Sequence, residues 1–304
     1  MSRFRQILAA LLMATLLLNV PAAAWENDTH AADVVAAALD EVGYTEGDGE
    51  YSKYGAWYGL SYSYWCAIFV SWAANEAGVP QRIIPRAAYC PYQVSSFRST
   101  DRFCDSALRG GDYVPRQGDI IFFYNSLAEP EGNTTATHIG IVLYVENGKV
   151  FSIEGNALTG RTDLTERVAE YDDSMDPPDY VTVNYYPLDS PRILGYGVPE
   201  YGDRTELTLT GFVDLGNYAE QADVFATLAE ADILSGTSSH TYSPRQGLSR
   251  GALIQAVVDL YGLKSFPEDT PAFSDVPKDH PDYYALMTAR SLGIFAGGDH
   301  NTAD

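Results

Sequence analysis

Tyr64-Trp65-Cys66-Ala67-Ile68-Phe69-Val70-Ser71-Trp72 places one cysteine where an aromatic, extended segment turns into a run with helical apolar spacing. Ile68, Phe69, Trp72 and Ala73 recur at that spacing, and Gly78 stands where a left-handed residue would close the helix. A cysteine in a first helical turn lies at the positive end of the helix dipole, which favours thiolate over thiol. Thiolate is the attacking form, so Cys66 is a candidate covalent catalyst. Such a nucleophile needs a base, and the chain has five histidines. His30 lies near the N-terminus, and His240, His280 and His300 fall in the last third. His138 alone opens an apolar, strand-like run in the first part, which makes it the base by elimination.

A third member follows from hairpin geometry. Val145-Glu146-Asn147-Gly148-Lys149 separates the run at 138–144 from the run at 150–154. A two-residue Asn-Gly turn pairs Glu146 with Lys149 and leaves His138 and Glu154 on opposite faces. A three-residue loop, with Gly148 as a left-handed bulge, pairs Val145 with Lys149 instead. Gly140 then lies opposite Glu154 and His138 opposite Asn156, with the polar side chains on one face. Ile139, Ile141, Leu143, Phe151 and Ile153 fill the other face. The alternation of 151–154 supports this division, so the three-residue loop is the expected one. It yields a Cys66, His138, Glu154 triad assisted by Asn156. No metal or other cofactor is expected, because the aspartates at 172, 173, 176 and 179 lack the spacing and central glycine of a calcium loop.

The elements that must position these groups divide near residue 200. Arg3 and Arg5, an apolar run over 7–20 and Pro21-Ala22-Ala23-Ala24 describe a secretory leader over 1–24. That run is shorter than the ~20 apolar residues of a membrane span, so the mature chain is expected to be secreted and free of the membrane. Residues 25–198 combine a first helix over 31–42, the Cys66 helix and later strand-like runs, an α+β pattern. Residues 199–211 are polar and aperiodic and read as a linker. In 212–304, Phe212-Val213-Asp214-Leu215 recurs as Phe273-Ser274-Asp275-Val276, and Ile233-Leu234-Ser235-Gly236 as Ile294-Phe295-Ala296-Gly297. Both matches fall at an offset of 61, the mark of a repeat with helical filling. Ser249 is the expected N-cap of a helix running to Leu260.

Charge and cysteines bound the partners. Formal charge is −22, and −24 without Arg3 and Arg5, which argues against nucleic acid. Three cysteines in an exported chain leave one unpaired. Cys90 and Cys104 lie close together in a polar stretch with few periodic signals, so they are the expected disulfide and Cys66 the free thiol. Closing that loop stabilises by about 3 kcal/mol in the chain-entropy model.

At these residues the chain resembles the CHAP family of cysteine, histidine-dependent amidohydrolases and peptidases. The matching pieces are Trp65-Cys66-Ala67 with Phe69-Val70-Ser71-Trp72, Gly118-Asp119-Ile120, His138-Ile139-Gly140-Ile141-Val142 and Ile153-Glu154-Gly155-Asn156. The resemblance implies a papain-like fold with an antiparallel sheet, and peptidoglycan as substrate. The bond cut would be an N-acetylmuramoyl-L-alanine amide or a peptide of the stem or cross-bridge. Residues 212–304 resemble S-layer homology (SLH) modules in their Phe-x-Asp-Val opening, Gly-Ile-x-x-Gly turn and helix start at 249–252. That second resemblance implies attachment to secondary cell-wall polysaccharide, with Arg250 at the position of the family's arginine. Trp65 and Arg250 are accordingly the expected substrate- or wall-binding residues. A counterpart of Arg250 would fall at 311, so the second module is expected to be incomplete and incompletely packed. The alternative to a hydrolase is a non-catalytic, cell-wall or S-layer-associated glycan-binding protein.

Overall fold

The computed structural model describes residues 27–124, 135–157, 180–245, 247–264, 266–267 and 270–298. The expected leader and the aspartates at 172–179 lie outside the described residues. Helix α1, Ala31–Leu39, buries Ala31, Val34, Val35 and Ala38, a stripe at the spacing of one helical face. After the short α2, Lys53–Tyr58, helix α3 spans Cys66–Glu76. Nearly all of α3 is buried, as expected of a helix that is apolar on every side. The Val79 N–H bonds the Ala74 carbonyl and the Gly78 N–H that of Asn75. With Gly78 at φ +66°, α3 ends in the left-handed motif expected there.

Helix α4, Cys90–Arg98, and strand β1, Phe103–Asp105, occupy the stretch read as irregular. Its helical signal is thin: Pro91 in the first turn, and Val94 and Phe97 on the buried side. The remaining strands are β2 (Ile120–Phe123), β3 (His138–Glu146), β4 (Lys149–Ala157), β5 (Tyr180–Pro187) and β6 (Ile193–Gly197). They form one antiparallel sheet in the order β1-β6-β2-β3-β4-β5. One face packs Ile139, Ile141, Leu143, Phe151 and Ile153 against α1 and α3. The other buries Ile121, Phe123, Val142, Val150, Tyr186, Ile193 and Tyr196.

The hairpin of β3 and β4 corrects the expected loop but keeps its consequence. Asn147 and Gly148 have φ +50° and +74° and form a two-residue turn, with Glu146 opposite Lys149. Positive φ at both positions matches the twist of the flanking strands. The bulge sits instead inside β3, where the register shifts between Val142 and Tyr144. Leu143 is the extra residue, and Tyr144 comes to stack on Phe151 with centroids 4.5 Å apart. Beyond the bulge Val142 faces Ser152 and Ile141 faces Ile153, the register that brings His138 and Glu154 to one face.

The stretch 199–211 is a strap rather than a free linker. Tyr201 is buried and donates its hydroxyl to the Gly118 carbonyl. Leu207 and Leu209 pack on the helix-side core, and Gln117 exchanges two hydrogen bonds with the Leu207 backbone. Arg204 meets the fully buried Asp119 at 2.8 Å, whose other oxygen accepts from Tyr113 and the Arg116 N–H.

In the last third, α5 (Ala222–Glu230) and α7 (Tyr283–Ser291) are related by the 61-residue offset. Their C-terminal turns match bond for bond: Ile233 and Leu234 bond the Leu228 carbonyl, as Ile294 and Phe295 bond that of Ala289. Between them α6, Arg250–Leu260, is capped by Ser249, whose hydroxyl accepts the Ala252 N–H at 3.1 Å. The second copy is better packed than expected, since Ala285, Leu286, Met287 and Ala289 are buried with Ile254 and Val258 of α6. Leu253, Leu260, Tyr284 and Leu292 nevertheless remain exposed. No helix among the described residues is long and apolar enough to cross a membrane.

Removing one partner of a buried ion pair strands the other charge. Arg204→Ala is therefore expected to cost about 3 kcal/mol of stability, read from urea denaturation. A loss below about 0.5 kcal/mol, typical of an exposed pair, would return 199–211 to the status of a linker.

Candidate active site

Cys66 is the first residue of α3, and Trp65 before it offers no side-chain cap. Three consecutive residues at the end of β4 bring this helix start to the sheet. Glu154 points to His138. Gly155 lies so close to α3 that a Cβ there would fall 2.6 Å from the Trp65 ring and 2.7 Å from Phe69. Asn156, at φ +55°, turns its carboxamide oxygen to accept the Trp65 N–H at 2.6 Å. Asparagine tolerates this left-handed conformation better than most residues. The expected assistant of the base thus holds the backbone immediately before the nucleophile.

Trp65 is 1% exposed, which corrects its expected role in substrate binding. Its ring stacks on Tyr54 at 5.1 Å, with Tyr44 edge-on at 5.8 Å. Its indole N–H donates to Glu46 at 2.9 Å. These contacts immobilise the helix start from below and leave no ring face for a ligand. Arg250, the other expected binding residue, is exposed at the first position of α6.

His138 opens β3 and lies over Phe123, its partner on β2, with centroids 5.7 Å apart. Its Nε2 is 2.9 Å from Glu154 Oε2, and the ring interacts electrostatically with the Cys66 thiol. With Nε2 held by the carboxylate, Nδ1 is the nitrogen left to exchange a proton with sulfur. Glu154 is 1% exposed. Oε2 also accepts from Asn184 and Tyr186, each at 3.2 Å, and Oε1 accepts from Ser152 at 2.6 Å. Gly140 makes room for it: a Cβ there would lie 2.8 Å from Glu154 Cγ.

The electrostatics follow from this arrangement. A hydrogen bond from Cys90 and the interaction with His138 outweigh burial and hold the Cys66 thiol well below its ordinary range. Burial alone would lower His138, but Cys66 and Glu154 together raise it to about 10. Burial likewise opposes a charged Glu154, yet His138, Ser152 and Asn184 keep its carboxyl below the usual value. All three directions favour the charged forms: thiolate at Cys66, imidazolium at His138 and carboxylate at Glu154.

Ser152, Asn184 and Tyr186 were not singled out from sequence. The alternation Ser152-x-Glu154 and Asn184-x-Tyr186 carries the signal, since both pairs project from one face of adjacent strands. The greater surprise is Cys90. All three cysteines are free, and Cys90 Sγ lies 3.6 Å from Cys66 Sγ. Cys104 sits on β1 opposite Tyr196. The expected Cys90–Cys104 disulfide is absent because Cys90 begins a helix that turns its thiol inward to the nucleophile.

Comparison with known proteins agrees with this geometry. Residues 57–156 match the CHAP domain, and the match contains Cys66, Cys90, His138, Glu154 and Asn156. Asn184 and Tyr186, which complete the carboxylate's hydrogen bonds, lie beyond it. No curated protein matches the chain. Among solved structures it is similar to one titled "The crystal structure of Ly7917", at 17% identity and a TM-score of 0.30. That similarity covers 55% of this chain and 61% of the other, so the chain spans about three fifths of the structure it matches.

The ion pair has a measurable signature. Iodoacetamide is expected to alkylate Cys66 at pH 6 faster than it does a free cysteine, whose thiol is protonated there. Reactivity should fall as acid protonates the thiolate, and should change again as pH rises through about 10 and His138 loses its proton. A single sigmoid centred near pH 8.5, the value of an ordinary thiol, would contradict the pairing.

Proposed function

We propose that the chain hydrolyses an amide bond in the peptide part of peptidoglycan by covalent catalysis. The observation that carries this reading is Cys66 at the start of α3, in electrostatic interaction with a His138 that is bonded to the buried Glu154, inside a segment that matches the CHAP domain. CHAP domains are typically cysteine- and histidine-dependent amidohydrolases or peptidases, and an amide carbonyl is the electrophile such a site addresses.

In this reading the Cys66 thiolate attacks the carbonyl carbon. The first-turn amides of α3, uncapped by any side chain, stabilise the oxygen as it gains charge. His138 then donates its Nδ1 proton to the leaving amine and takes a proton from the water that releases the acyl group. Glu154 keeps the imidazole ring in place and favours its cationic form. A muramoyl-alanine amide and a stem or cross-bridge peptide meet this machinery equally well, and the fragments released tell them apart. We place the activity outside the cell, with the helical repeats as SLH-type modules holding wall polysaccharide through Arg250. The support for attachment is the repeated backbone of α5 and α7 and the exposure of Arg250 at a capped helix start.

Purified protein incubated with peptidoglycan should release soluble fragments whose masses identify the bond. Cys66→Ser and His138→Ala are each expected to reduce the rate at least about a thousandfold with little change in thermal unfolding. Glu154→Gln should lose less, about a hundredfold, because an amide still orients the ring. Near wild-type turnover in Cys66→Ser would refute the mechanism, and an inert wild-type protein that still binds peptidoglycan would favour a glycan-binding role.

Attachment has its own measurement. Pull-down on purified secondary wall polysaccharide should retain the full chain, with Arg250→Ala binding about tenfold more weakly, the loss of one charged hydrogen bond. Equal retention of both proteins would remove Arg250 from the binding surface.

A further inference from the structure

Cys90 has no part in the hydrolytic steps above, yet its thiol is held against the nucleophile. The contact is built rather than incidental. Ser71, on α3 just past one turn from Cys66, accepts the Ala87 N–H at 2.9 Å and the Gln93 carboxamide at 3.3 Å. Ala87 and Gln93 stand three residues before and after Cys90, so one buried hydroxyl fixes the start of α4 against α3. Both sulfurs belong to first helical residues and both are buried, with Cys66 8% and Cys90 6% exposed. Their separation of 3.6 Å is about 1.5 Å longer than a disulfide bond. A bond between them requires the two sulfurs to close that gap.

We infer that Cys66 and Cys90 form a reversible disulfide-forming site, through which a hydroperoxide switches off the catalytic thiol. The loss of activity rests on the proposed role of Cys66, whereas formation of the bond does not. The Cys66 thiolate attacks the hydroperoxide: an S–O bond forms, the O–O bond breaks, and the departing alkoxide or hydroxide takes up a proton. Cys90 sulfur then attacks the Cys66 sulfenic sulfur. The S–S bond forms as the S–O bond breaks, and hydroxide leaves with the Cys90 proton as water. Two thiols lose two protons and two electrons, and the hydroperoxide is reduced to an alcohol or water. A dithiol reductant reverses the change. Low thiol pKa at Cys66 suits it to be the residue oxidised first. Cys90 as resolving thiol intercepts the sulfenic acid before further, irreversible oxidation.

The test treats reduced full-length protein with hydrogen peroxide, blocks remaining thiols with N-ethylmaleimide, and maps peptides by mass spectrometry. The expected product carries a Cys66–Cys90 link and one alkylated thiol, at Cys104. Hydrolysis of peptidoglycan should fall more than about tenfold and return with dithiothreitol. Cys90→Ser should instead give a Cys66 sulfenic acid that dimedone traps, and, with excess peroxide and no dimedone, a Cys66 sulfinic acid whose loss of activity dithiothreitol does not reverse. Cys104→Ser should behave as wild type in both assays. A link between other cysteines, or peroxide inactivation of wild type that reductant cannot reverse, would overturn the inference. So would unchanged thiols after peroxide. A Cys66–Cys90 link in a protein that hydrolyses nothing when reduced would uphold the disulfide site and refute the proposed function. If Cys90→Ser does not fold, the wild-type peptide map decides alone.

Discussion

A carboxylate with 1% exposure is the constraint on which this site is built. Burying an ionised group costs several kcal/mol unless its lone pairs are met. Glu154 remains charged because His138, Ser152, Asn184 and Tyr186 all donate to it. Each donor fixes a piece of architecture. Ser152 and Glu154 must project from one face of β4, Asn184 and Tyr186 from the same face of β5, and His138 from β3. Gly140 must lack a side chain so that the carboxylate can cross to the imidazole. Weakening any of these pairings leaves a charge in a low-dielectric setting, so the register of three strands is tied to the ionisation of one residue.

The neighbouring residues extend this order to the nucleophile. Glu154 holds the base, Gly155 lets the helix approach, and Asn156 holds the backbone at Trp65. Consecutive positions along one strand thereby join a sheet to a helix with no intervening loop. Sulfur and imidazole are placed by the most buried part of the fold, where side chains have little freedom to rearrange.

Much of this was legible in the sequence, and the failures have physical causes. Cys66 as a helix start, Gly78 as its end, Ser249 as a cap and the 61-residue offset rest on local backbone chemistry, and local chemistry survives folding. The relation of His138 to Glu154 was also legible, though through the wrong device. Strand parity demanded one extra residue, and hydrophobic pattern cannot say whether a loop or a bulge at Leu143 supplies it. Cysteine counting misplaced Cys90 because it weighs compartment and number and is blind to direction. Helix α4 shows only Val94 and Phe97 as an apolar stripe, too short a signal to oppose that arithmetic. Trp65 was misplaced for a related reason: an aromatic beside a nucleophile reads equally as a binding platform or as the floor beneath it.

The hairpin of β3 and β4 has two ends, and the structure uses both. At one end stands His138. At the other, Tyr144 bonds Ser238 at 2.6 Å, and Glu146 bonds the backbone and hydroxyl of Ser239 in the first helical repeat. The strand between is nine residues long, about 26 Å at the rise of an antiparallel strand. A stiff rod of that length makes the hairpin a ruler. Ser238 and Ser239 are thereby held at a set distance from His138, so the spacing between the first helical repeat and the site is written into the length of β3.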